Sequence, residues 1–272
     1  MHPGVNRTLG YKEKFVGGKV DLVNRPLFQE PFGKFFFPPK VLREEIELRT
    51  WKRVVALQTI SVPHTGHEWL MKGAWFQHKA DAVIANCVIG EKHIDDCIDE
   101  CVLLGHSELG NAGYFKKGTH MTSILLWDIC YEGPRCAVFR AIVSKNMGCT
   151  GHIFGGHHAG IGDFYGKWEA HDIFNQVPDL GIEPILSREW YHCAKCGQVT
   201  CSELCDHQNP QRFGDKQICS TLMTGVKPSS HIMRPEVFDK VIAAADKYGF
   251  GDGYVTDEYL QRRNPIFKLA RS

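Results

Sequence analysis

From residue 51 onward, apolar runs and polar breaks alternate in the rhythm of strand, crossover helix and strand. "RVVALQT" (53–59) predicts a strand, and "HEWLMKGAWFQHK" (67–79) an amphipathic helix that starts near Gly66. "DAVIANCVIG" (81–90) is the next strand, followed by a stretch without clear periodicity to about residue 120. "TSILLWDI" (122–129) reads as a strand. "GPRCAVFRAIVSKNMG" (133–148) reads as a helix with Ala137, Val138, Ala141 and Ile142 at helical spacing. "CTGHIFGG" (149–156) is a strand that closes on a glycine loop, and a last helix begins at "RPEVFDKVIAAADKYG" (234–249), where Pro235 suits the first turn. This order predicts an α/β fold with a Rossmann-like parallel sheet, whose ligands bind at the carboxyl ends of the strands.

Around that sheet the pattern changes twice. Residues 1–50 are rich in Pro, Phe and Gly and end in the charged, helix-capable "FGKFFFPPKVLREEI", which predicts a short N-terminal extension. Beyond residue 190 the composition shifts to Cys, Gly, Gln and Asp. The expected division is therefore an extension over 1–50, the α/β domain over 51–190, and a small C-terminal subdomain, metal-binding and helical, over 191–272.

Hydrophobic residues make up 43% and charged residues 23% of 272, a globular composition. With a net charge of +1 there is no global electrostatic case for nucleic acid or an anionic membrane. The first residues, "MHPGVNRTLGYKEKF", lack an apolar core, and no apolar run is long enough to span a bilayer. A soluble, cytoplasmic protein is the expectation. Eleven cysteines, four of them within residues 193–205, suggest a metal site rather than a disulfide framework in a reducing compartment.

The candidate chemistry sits at strand ends. After the first strand, "QTISVPHTGHEWL" brings His64 and His67 to the mouth of a helix, with Gly66 between them. Free N–H groups at a helix N-terminus attract phosphate, and two imidazoles there can stabilise charge growing on a pyrophosphate leaving group. The simpler alternative is that one histidine caps the helix and the other packs. The spacing does not suit a HExxH zinc site, whose histidines stand a full turn apart. A second glycine-rich loop, "GGHHAG", carries Gly155, Gly156, His157, His158, Ala159 and Gly160.

Taken in order, the HxGH helix, the GPR helix and the GGHHAG loop resemble the catalytic domain of ATP sulfurylases (sulfate adenylyltransferases), within the HxGH nucleotidyltransferase superfamily. The resemblance runs from "GGKVDLVNRPLF" (17–28) to "RPEV" (234–237). Family motifs QTRNPxHxxH, GPREAxxHAIxRKNxGCT and GRDHAG find counterparts here. They are Gln58-Thr59, His64 and His67; Gly133-Pro134-Arg135, Lys145-Asn146 and Gly148-Cys149-Thr150; and His158-Ala159-Gly160. The family's arginines in QTRN and GRDHAG fall on Ile60 and Gly156, its Asn on Ser61 and its Asp on His157. A sulfate pocket wants fixed guanidinium charge, so either another cation has moved in or the acceptor differs. Arg135, Arg140 and Lys145 are the local cations; alternatively, Arg140 and Lys145 form a solvated helix face.

The resemblance implies an ATP-dependent enzyme with ATP, Mg²⁺ and a small oxyanion or acid as its reaction partners. His64 and His67 would be catalytic. Gln58, Thr59, Gly66, Arg135, Gly155, His157, His158, Ala159 and Gly160 would contact nucleotide or acceptor. A second family signature, ISSTxxR, is matched in part by Ile218, Ser220 and Thr221, with Thr224 at the basic position and Lys227 nearby; a Ser-Thr helix cap explains it as well. Two other readings compete, a non-catalytic nucleotide-binding scaffold and a metallohydrolase built on His152, His157, His158 and His171. Family members carry a β-rich domain ahead of the catalytic one, of which this chain would lack most; a homodimer is the default assembly.

"YHCAKCGQVTCSELCDHQNPQ" offers a CxxC pair with further Cys and His ligands after a loop, the layout of a closed structural zinc site. A similar element in some bacterial and archaeal ATP sulfurylases implies Cys193, Cys196, Cys205 and His207 as Zn²⁺ ligands, with Cys201 in reserve and His192 incidental. The alternative is a set of buried thiols.

Overall fold

In the computed structural model the described residues are 1–14, 16–21, 26–128, 133–156, 158, 164–207, 210–212, 218, 221–222 and 224–269. The amino-terminal part holds α1 (Pro3–Leu9), β1 (Pro26–Phe28) and α2 (Pro39–Leu48). Next come β2 (Val54–Thr59), α3 (Thr65–Gln77), β3 (Ala82–Ile89), α4 (Asp99–Asn111), β4 (His120–Leu126), α5 (Pro134–Asn146) and β5 (Gly151–Phe154). The remainder comprises α6 (Glu169–Asp172), β6 (Glu183–Leu186), β7 (Trp190–Cys193), β8 (Gln198–Cys201), β9 (Pro210–Arg212), α7 (Pro235–Tyr248), α8 (Asp257–Arg262) and β10 (Phe267–Leu269).

Five strands form a parallel sheet in the order β4-β3-β2-β5-β6. Every residue of β2 and β3 is buried, as expected of central parallel strands covered on both faces. Alternation sorts them: Val55, Leu57, Val83, Ala85, Cys87 and Ile153 pack toward one face, Val54, Ala56, Ile84 and Phe154 toward the other. The first face is covered by α3, α4 and α7, the second by α2, α5 and α6. The Rossmann-like parallel sheet read from the sequence is therefore present. Because β2 leads outward through β3 to β4, while β5 and β6 lie on its other side, the order reverses between β2 and β5. That is the switch point, where the carboxyl ends leave an open crevice.

Three local readings shift. The aperiodic stretch before residue 120 contains α4, whose Val102, Leu103, His106 and Leu109 are buried at helical spacing. On α5 the buried residues are Cys136, Ala137, Arg140, Ala141 and Ser144, whereas Ile142 is exposed; its inward stripe is rotated from the one expected and is partly polar. The helix at 235–248, assigned from sequence to a C-terminal subdomain, buries Val237, Phe238 and Val241 in the same core cluster as the sheet. β1 pairs antiparallel with β10. A separate antiparallel sheet, β8-β7-β9, carries the cysteines.

Candidate active site

The loop after β2 is braced from three directions. Val62 and Pro63 are buried, and Gly105 of α4 approaches so closely that a Cβ there would stand 2.9 Å from the Pro63 ring. His106, fully buried, reaches the Ser61 carbonyl through Nε2 at 3.2 Å. Thr65 binds the segment ahead of α7, its N–H donating to the Ile232 carbonyl (2.9 Å) and its hydroxyl to that of His231 (2.6 Å). Below it, the fully buried Glu68 takes two bonds from Arg234, at 2.7 and 3.0 Å, and pairs with Lys72.

His64 is the N-cap of α3, its Nδ1 accepting from the His67 N–H at 3.3 Å. The capping role weighed from sequence is thus real. It also fixes the tautomer: with Nδ1 accepting, the neutral ring carries its proton on Nε2. Burial, then His67 and His106, hold the His64 pKa well below its usual range, so the ring stays neutral. The His64 and His67 rings lie 4.0 Å apart and His106 stands edge-on to His67 at 6.0 Å. His106 is a member of this cluster that sequence reasoning missed, because it comes from the unread helix.

Gln58 and Thr59 make hydrogen bonds at the strand end. The Gln58 amide donates to the Arg140 carbonyl (3.3 Å) and the Ser144 hydroxyl (3.1 Å), and Thr59 accepts from the Ser61 N–H (3.2 Å). Both therefore anchor the strand end to its surroundings. Gly66 is buried in the first turn of α3. On the crevice's β3 side, Ile60 lines a cleft with Glu91, Asp95, Asp96 and Trp127. Its lysine, Lys92, is paired with buried Asp99 at 2.7 Å.

On the β5 side, His171 reaches the carbonyls of Phe154 and Gly155 through Nε2, at 3.0 and 3.2 Å. Among the described residues no group of three metal-binding side chains forms around it. His152 is fully buried against Ser144 (Nδ1 to Oγ, 2.7 Å), and His158 packs edge-on against Phe154 and His152. Burial, with Arg140 next, drives the His158 pKa down to about 3. Arg140 is buried, not a solvated face, whereas Lys145 is exposed as that alternative held. Arg135, in α5's first turn, is exposed and lines a cleft with His2, Arg7 and Tyr165. Beside Gly156, a Cβ would meet the Lys167 side chain at 3.0 Å, and Lys167 itself pairs with Glu189 at 2.7 Å. His157, Ala159, Gly160 and Ser220 lie outside the described residues. Thr221 stands between Ile218 and Leu222, both buried in the core, and Lys227 is paired with Asp239 at the surface.

The four side chains implied by the resemblance come together. Donor atoms of Cys193, Cys196, Cys205 and His207 all lie within 4.8 Å of one another. His207 Nδ1 is 3.3 to 3.4 Å from the three sulfurs, and the sulfurs of Cys196 and Cys205 are 3.5 Å apart. Four donors bound tetrahedrally at zinc–ligand lengths stand about 3.5–3.8 Å apart, so the set fits a closed metal site. Cys201 is buried outside it, and His192 stacks on His231. Among the described residues this is the one group of three or more metal-binding side chains.

The fold and site define a parallel α/β protein with a histidine-bearing crevice at its switch point. The defining pattern of the ATP-sulfurylase family matches residues 33–244, and the chain belongs to that family. It is 38% identical over 253 residues to a sulfate adenylyltransferase of Hyperthermus butylicus, with 92% of this chain and 64% of that one covered. It is 33% identical to one from Archaeoglobus fulgidus, with 98% and 62% covered, so the chain spans under two thirds of these relatives' length. Among solved structures, a hexameric APS kinase from Thiobacillus denitrificans shares the fold at 17% identity and a TM-score of 0.61, over 79% of this chain and 41% of that one. No helix among the described residues is long and apolar enough to cross a membrane.

Proposed function

We propose that this chain is an adenylyltransferase that moves AMP from ATP to an oxyanion, with release of pyrophosphate, or runs the reverse reaction. Sulfate is the nominal acceptor, consistent with the names of the related proteins. The observation that carries the reading is the position of His64 and His67 at the carboxyl end of β2, beside the switch point. The acceptor oxygen would attack the α-phosphorus in line. His64, its ring neutral, and His67 would donate hydrogen bonds to the departing phosphates, and the positive end of the α3 dipole would add to that stabilisation. Such a transfer needs positioning and charge stabilisation rather than a side-chain nucleophile. Gly155 and the residues 157–160 would contact nucleotide and acceptor, and Ser220 and Thr221 the phosphates. Mg²⁺ accompanying ATP would screen the triphosphate charge.

Cys193, Cys196, Cys205 and His207 would hold a structural Zn²⁺ in the unit that begins at residue 191. The division at 50 and 190, with the 235–248 helix packed back onto the sheet, and a homodimeric assembly complete the reading. Two competitors have observations behind them. The carboxylates around Ile60 favour an acceptor other than sulfate in that cleft. His64's capping bond gives that residue a purpose in a non-catalytic nucleotide-binding zinc scaffold too. Pyrophosphate release from ATP across a panel of oxyanions separates these cases: turnover with sulfate supports the first reading, turnover with another oxyanion the second, and ATP binding without turnover the scaffold.

A further inference from the structure

The two sides of β2's carboxyl end differ in charge. Toward β3, the cleft beside Ile60 is lined by Glu91, Asp95 and Asp96, and its lysine is neutralised by Asp99. Toward β5, Lys167 fills the space beside Gly156 but is neutralised by Glu189. Arg140 differs from both. It is only 9% exposed, its Nε has no hydrogen-bond partner, and it makes no ion pair among the described residues. A buried guanidinium without a counter-charge is costly, and proteins hold one where an anion completes it.

Its surroundings repeat the pattern. Gln58 Oε1, His152 Nε2 and His158 Nε2 are also buried without hydrogen-bond partners among the described residues. They are linked through one neighbourhood, since Gln58 and His152 both bond Ser144, one turn beyond Arg140, and His158 packs edge-on to His152. Helical side chains tilt toward their helix N-terminus. From the middle of α5 the guanidinium therefore leans toward the end of the helix that adjoins the strands' carboxyl edge. With both rings held neutral by burial, Arg140 is the permanent cation of the group.

We infer that Arg140, with His152 and His158 beside it, forms the seat of the acceptor oxyanion, a tetrahedral dianion of the sulfate type. It would replace the positive charge missing at Ile60 and Gly156. The inference rests on the adenylyl-transfer reading for the anion's role, though not for its binding.

The test titrates sodium sulfate into the whole chain without nucleotide, at ionic strength balanced with sodium chloride, and follows the melting temperature. Wild type should show a saturable rise that chloride does not give. Arg140→Met should fold, since an apolar side chain of similar length replaces an uncompensated charge, and should lose that rise. Arg140→Lys should bind sulfate at least about tenfold more weakly, because a point charge cannot replace the planar fork. If Arg140→Met does not fold, the Arg140→Lys titration decides. An unchanged sulfate response in either variant, or none in wild type, overturns the inference. A parallel ATP titration keeps the two claims apart: a sulfate response without any ATP response would leave the anion seat standing and remove the adenylyl-transfer reading.

Discussion

Glu68 ties α3, which His64 caps and which carries His67, to the start of α7. Its carboxylate has no solvent exposure, and it bonds Arg234 through both oxygens. Lys72 closes on it from the next turn, and Arg234 lies over the Tyr114 ring at 4.6 Å. Breaking a fully buried pair costs about 3–5 kcal/mol. Here the Arg234 and Lys72 side chains are 26% and 27% exposed, so water recovers part of the loss and about 2–3 kcal/mol is expected for Glu68→Gln. For a chain of 272 residues that lowers the melting temperature by roughly 4–6 °C. Urea unfolding of wild type, Glu68→Gln, Arg234→Met and the double variant isolates the pair. The coupling should exceed about 1 kcal/mol. A value below about 0.5 kcal/mol, typical of exposed ion pairs, would refute the claim that this contact holds the helix.

Acid should weaken the fold early. Burial lowers the pKa of His64, His106 and His152, of His120 to about 4 and of His158 to about 3. The unfolded chain binds protons from about pH 6.5 downward while the folded one does not, so stability is full above that pH. It falls by up to about 1.4 kcal/mol per unit for each such ring until the ring's folded pKa is reached. Urea midpoints at pH 7.5, 6.0 and 5.0 should fall steeply, and equal midpoints would contradict the burial of these rings. Zinc analysis should give one ion per chain, lost in Cys193→Ser and retained in Cys201→Ser; the reverse would move the site.

What the sequence disclosed follows from how local each signal is. β2 and β3 were legible because buried parallel strands read as unbroken apolar runs. The cysteine–histidine cluster was legible because its residues lie within one short segment, and the family resemblance singled out Cys193, Cys196, Cys205 and His207 over Cys201. α4 was hidden because Gly105 and Gly110 interrupt its apolar spacing, and Gly105 is there to admit Pro63. The buried face of α5 was misphased because it points Arg140 and Ser144 inward, where a hydrophobic pattern expects Val138 and Ile142. The bracing of the two loops by His106 and His171 joins elements distant in sequence, and no spacing rule reports such a contact.

The central claim is that the histidine pair at the switch point serves adenylyl transfer. Sulfate-dependent release of pyrophosphate from ATP, measured on wild type and His67→Ala, tests it most directly. Loss of one donor to a developing charge lowers the rate by about 10²–10³. Wild type should therefore turn over with an oxyanion present and His67→Ala should fall by that factor. ATP binding with no pyrophosphate released for any oxyanion, or a His67→Ala variant as active as wild type, would contradict the account.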